Sequence, residues 1–122
     1  MTTIVFVYGS LLAGQGNHRV LRTARFVGRA QTAPEYTMHS LGGFPGVVSG
    51  GSTPIEGECY EVDGPTLEAL DRLEGHPSFY RRTRIVLEDK MSVEIYLLTS
   101  EQVDELPIVV SGCWLQYRQG QR

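Results

Sequence analysis

The chain has 122 residues, 41% of them hydrophobic, and a net charge of −3. That length suits one domain with one core, expected to span 1–122. No Lys/Arg block follows the spacing of a phosphate backbone, which argues against nucleic acid as a partner. The apolar runs fall far short of the roughly 20 residues needed to cross a membrane.

Residues 3–8, TIVFVY, are β-branched and aromatic without polar alternation after Thr3. They predict a strand covered on both faces. The opening residues carry no basic segment, apolar stretch and cleavage site, so a cytoplasmic protein is expected. A loop follows over 9–16, and Asn17 is the expected N-cap of a short helix over 17–22. Strands are predicted over 25–33 and 36–41, broken at Pro34. Residues 42–54 are rich in Gly, Pro and Ser and read as a loop with apolar anchors, GGFPGVV. Residues 55–62, IEGECYEV, read as a strand.

The clearest helix covers 65–74. Pro65 suits a first helical position, Leu67, Leu70 and Leu73 recur at helical spacing, and Gly75 and Pro77 end it. Strands over 79–88 and 92–99 flank a turn at Asp89-Lys90. In the tail, 111–118 fits either a short turn of helix or a segment lying across the sheet. About six strands joined mostly by short turns predict an α+β fold. The expected form is a small, mixed or antiparallel β-barrel of five to six strands, partly closed, with short helices outside.

Several familiar motifs are absent. Gly9 and Gly14 have the spacing of a phosphate-binding loop, but Gln15 and Gly16 stand where Lys and Ser/Thr are required. Ser10 lacks the Gly-x-Ser-x-Gly setting of a hydrolase elbow. His18, His39 and His76 show no metal-ligand spacing with one another or with Cys59 and Cys113, so no metal site is expected. The two cysteines form no Cys-x-x-Cys pair and are expected to stay reduced.

One carboxylate stands out. With one helical residue every ~100°, Glu68 and Arg72 oppose the leucine face, Asp71 lies near its boundary, and Glu74 falls within roughly 40° of its centre. A carboxylate directed at apolar surroundings is costly unless it is paired or protonated. Pairing with Arg81, Arg82 or Arg84 is one reading. The other is a general base whose pKa burial has raised towards neutrality.

Two segments together, FVYGSLLAGQGNHRVL and ALDRLEGHPSFYRR, resemble the γ-glutamylcyclotransferase family. The likeness is greatest to its short γ-glutamylamine cyclotransferase-type members. The first segment matches the family's Tyr-Gly-Ser/Thr-Leu loop. The second matches the helix end that carries its catalytic glutamate, with a tyrosine six residues on, here Glu74 and Tyr80. EGECYEVD and IYLL resemble two further strands, so the likeness runs from residue 4 to about 99. In the tail, Cys113 replaces an acidic residue common before the Trp.

The resemblance implies a small barrel with flanking helices. It also implies a reaction in which the α-amino group of a γ-glutamyl amide attacks its own γ-carbonyl, giving 5-oxoproline and a free amine without a cofactor. The implied roles are Glu74 as base and acid, and Tyr8, Gly9, Ser10 and Leu11 as holders of the glutamyl head. Tyr80 would orient the substrate, and Phe44, Pro45 and Gly46 would line the pocket. The expected partner is a small-molecule γ-glutamyl substrate. Rival readings are a catalytically silent binding module, removal of a γ-glutamyl protecting group in natural-product synthesis, and an unrelated hydrolase using Ser10.

Overall fold

The apolar run at the start of the chain forms strand β1 (Thr2–Val7), buried at its last three residues. In the computed structural model, residues 2–120 are described; Met1 and the last two residues of the tail lie outside the described residues. After β1 come a 3₁₀ turn at His18–Leu21, then β2 (Arg25–Gln31), β3 (Tyr36–Ser40), β4 (Pro45–Ser49) and β5 (Glu56–Asp63). Helix α1 (Gly64–Glu74), β6 (Arg81–Val86), β7 (Ser92–Leu97) and helix α2 (Trp114–Gln119) complete the chain.

Five strands form one sheet in the order β2-β5-β1-β7-β6. β1 is central: it runs antiparallel to β5, with Val5 opposite Tyr60, and parallel to β7, with Phe6 opposite Ile95. The outer pairs, β2 with β5 and β6 with β7, are antiparallel. Side chains of a strand alternate between faces. Val5 and Val7 accordingly join a core with Leu70 of α1, while Phe6 and Tyr8 join another with Met38, Ile55 and Trp114. Both faces of β1 are covered, as its unbroken apolar pattern predicts.

α1 begins and ends as its sequence dictates. The Asp63 carboxylate accepts the Thr66 N–H at 2.9 Å, Pro65 lies in the first turn, and Gly75 closes the helix at φ 68°. Leu70 is fully buried.

Two expectations need correction, and that of a partly closed barrel is met only in part. The described strands form a five-stranded sheet and no closed barrel. Among the described residues its edges meet only at one end, through the Thr32–Leu87 bridge and a 3.3 Å hydrogen bond from the Glu88 N–H to the Gln31 carbonyl. The segment 42–54 is not all loop. Its residues 45–49 form β4, which pairs with β3 as a two-stranded ribbon and accepts a hydrogen bond from the Leu98 N–H at the Val47 carbonyl. The helix over 17–22 shrinks to one 3₁₀ turn, and the Asn17 side chain caps nothing. In the tail, the helical alternative holds as α2.

Candidate active site

Where β1 ends, the chain turns sharply and is pinned on every side. The Leu12 N–H donates to the Gly9 carbonyl at 3.0 Å and the Asn17 N–H to the Ser10 carbonyl at 2.9 Å. His18 Nδ1 donates to the Leu11 carbonyl at 2.8 Å. The buried Glu58 carboxylate accepts the Ala13 N–H at 3.0 Å and the Tyr60 hydroxyl at 2.9 Å. The first three of these bonds use the loop's carbonyls. The N–H groups of Gly9, Ser10 and Leu11 donate to no acceptor among the described residues.

Gly9 is required for a packing reason as well. A Cβ there would lie 2.8 Å from Pro45 Cγ, at the start of β4. Only the bare backbone lets the loop and the ribbon approach this closely. The Ser10 hydroxyl accepts a 2.9 Å hydrogen bond from the Asn17 amide. An amide donor cannot take a hydroxyl proton, so the neighbour an activated nucleophile needs is missing from Ser10's partners.

A cavity of about 340 Å³ opens beside this loop. Its walls bring together Tyr8, Gly9, Ser10, Leu11, Phe44, Pro45, Glu74 and Tyr80, all expected from the sequence. Gly46 is not on the wall. It lies behind it, so close to the Leu98 and Leu41 side chains that a Cβ would collide with Leu98. Asn17, Leu73, Phe79 and Tyr96 also line the cavity and were not expected there. Leu73 was assigned to the core face of α1 yet is 40% exposed, because that face runs out at the cavity mouth.

Glu74 ends α1 on the cavity wall, and burial pushes its carboxyl up to about 7. The arginine partners considered from the sequence go elsewhere. Arg82 binds Asp71 and Glu94, and Arg84 binds Glu94. Among the described residues, no hydrogen bond or ion pair reaches the Glu74 carboxylate.

The two tyrosines tie the cavity wall to the backbone. The Tyr8 hydroxyl donates to the Tyr96 carbonyl, and the Tyr80 hydroxyl to the Pro45 carbonyl, each at 2.6 Å. Burial raises both phenols well above their ordinary values, with Glu74 adding to the effect. Their protons are committed to backbone, and their oxygens remain able to accept.

The chain matches the family model described as "Gamma-glutamyl cyclotransferase, AIG2-like" over residues 5–116. A Vibrio cholerae protein is 45% identical over 116 residues, which cover 95% of this chain and 98% of its own. Gamma-glutamylaminecyclotransferase of Bos taurus is 42% identical over 90 residues, covering 66% of this chain and 54% of that protein. Among solved structures, the protein ytfP from Escherichia coli matches with a TM-score of 0.74 at 35% identity, covering 94% of this chain and 98% of that one. An AIG2-like protein from Mus musculus matches with a TM-score of 0.70 at 30% identity, covering 88% and 85%. By the family match over nearly its whole length and by these relatives, the chain belongs to the AIG2-like γ-glutamyl cyclotransferases.

Proposed function

We propose that the protein cleaves a γ-glutamyl amine by internal attack, releasing 5-oxoproline and the free amine. One observation carries this reading. The cavity holds a carboxylate raised by burial to about 7, unpaired among the described residues, together with three backbone N–H groups that find no acceptor among them.

The chemistry uses both. The substrate's α-ammonium is no nucleophile until a base removes a proton, and Glu74 is poised to accept one near neutral pH. The freed nitrogen attacks the γ-carbonyl within the same molecule, so the protein has mainly to hold a folded, near-attack shape. The new N–C bond gives a tetrahedral intermediate with an oxyanion. The loop N–H groups of Gly9, Ser10 and Leu11 are donors for that oxyanion or for the α-carboxylate. The bond to the amine nitrogen then breaks. The α-nitrogen sheds two protons in all and the leaving nitrogen gains two, with Glu74 as carrier.

Glu74→Gln is expected to lower 5-oxoproline formation by about a thousandfold, within the range for loss of a general base, while the circular dichroism spectrum stays unchanged. Normal turnover by that variant would overturn the assignment. A silent binding module predicts no 5-oxoproline from any γ-glutamyl amine, and the unpaired Glu74 speaks against it. The free thiols of Cys59 and Cys113 suit a reducing compartment, so we place the enzyme in the cytoplasm.

A further inference from the structure

The geometry points to the class of amine released: an alkyl or aryl amine that carries no ionic group of its own. This inference rests on the cyclotransferase reading above.

The first support is the charge inventory. Among the described residues, Glu74 is the only carboxylate on the cavity wall, and no Lys, Arg or His lines it. The glutamyl head brings one ammonium and one carboxylate, and Glu74 and the loop N–H groups answer these two. The other polar side chains are already engaged. Asn17 bonds to Ser10, and Tyr8, Tyr80 and Tyr96 each donate to a protein oxygen. A second ammonium or carboxylate, on the amine portion, would meet apolar wall and find no counter-charge.

The second support is the rim. Phe44, Leu73 and Phe79 are 38%, 40% and 41% exposed, and all three line this one cavity. They arrive from separate segments: the turn before β4, the last turn of α1 and the loop before β6. The Phe44 and Phe79 rings meet edge to face at 6.3 Å, and Phe79 meets Tyr80 at 5.1 Å. Apolar surface gathered at the mouth of a polar-ended pocket marks where an apolar ligand portion sits.

The third support is chain adjacency. Leu73 precedes Glu74, and Phe79 precedes Tyr80. Glu74 must reach the leaving nitrogen to return a proton, so the substituent on that nitrogen starts beside Leu73 and Phe79.

Three substrates of nearly equal size test this. They are the γ-glutamyl amides of hexylamine, of 1,5-diaminopentane and of 6-aminohexanoate, which end in a methyl, an ammonium and a carboxylate. With 5-oxoproline as readout, kcat/KM for the hexylamide is expected to exceed both others by about tenfold or more, as for a charge placed in an apolar subsite. Leu73→Ser and Phe79→Ser are expected to lower the hexylamide value most and draw the three towards equality. Equal or faster turnover of either charged amide overturns the inference and leaves the cyclotransferase reading standing. So does a preference that both variants keep in full. Absence of 5-oxoproline from all three overturns the cyclotransferase reading, and the inference with it. The wild-type comparison needs no variant to fold.

Discussion

Asp71 and Glu74 stand one helical turn apart on α1 and meet opposite surroundings. Burial acts to raise the Asp71 carboxyl, but the paired hydrogen bonds from Arg82, at 2.9 and 3.2 Å, and one from the Tyr96 hydroxyl at 2.7 Å outweigh it and hold it low. Burial raises Glu74 with nothing to oppose it. The same residue chemistry on one helix yields a fixed anchor in one place and a proton carrier in the other. Which it becomes depends on whether a donor is supplied.

The comparison can be broken or sharpened in order of expected effect. The pH profile of 5-oxoproline formation reads Glu74 directly. A base works deprotonated, so kcat/KM should climb about tenfold per pH unit below about 7 and flatten above it. A profile flat between pH 5 and 7 would remove Glu74 from the role. Arg82→Ala takes two of three hydrogen bonds from Asp71 and one of two arginines from Glu94. It should cost about 2 kcal/mol in urea unfolding, as for a partly buried charge pair broken on one side.

Glu74→Gln should do the reverse under alkaline conditions. A folded-state value above the ordinary 4.5 means that the folded chain holds the proton more tightly, so the wild type loses stability as pH rises from about 4.5 to about 7. The ceiling is about 3 kcal/mol, and the opening of Glu74 to the cavity brings the expected gain for the variant to about 1–2 kcal/mol at pH 8. The gain should vanish near pH 4. Equal melting temperatures for the two proteins at both pH values would show Glu74 to be well solvated. The smallest effect belongs to Tyr96→Phe, which removes one donor from Asp71 and should cost about 1 kcal/mol, the typical worth of one hydrogen bond.

Local chemistry was legible in the sequence; convergence was not. The Pro65 start of α1, its Gly75 stop and the inward angle of Glu74 follow from rules that act within a few residues, and the structure shows each of them. β4 was missed because a buried five-residue strand between glycines carries the same letters as an anchored loop. Its strand character comes from pairing with β3, which local pattern does not reveal. The extent of barrel closure was legible only in part, because strand count does not determine how far the edges meet. At the site, Phe79 and Tyr96 are ordinary apolar-pattern residues until the fold brings them beside Glu74. Asn17 was read as a cap from its position before a helix, but its amide is taken by Ser10. Gly46 was included through its neighbours Phe44 and Pro45, and strand alternation turns it the other way.

The central place of β1 has a consequence for the order in which the protein acquires its site. One flank of β1 is β5, ending at Asp63, and the other is β7, ending at Leu97. A strand made first thus waits for one made about ninety residues later, and such distant pairings are slow to close. The Tyr8 hydroxyl bonds to the carbonyl of Tyr96, within that late strand. During synthesis, therefore, the donor loop, Glu74 and the ribbon carrying Pro45 all exist before the strand that draws them into one cavity.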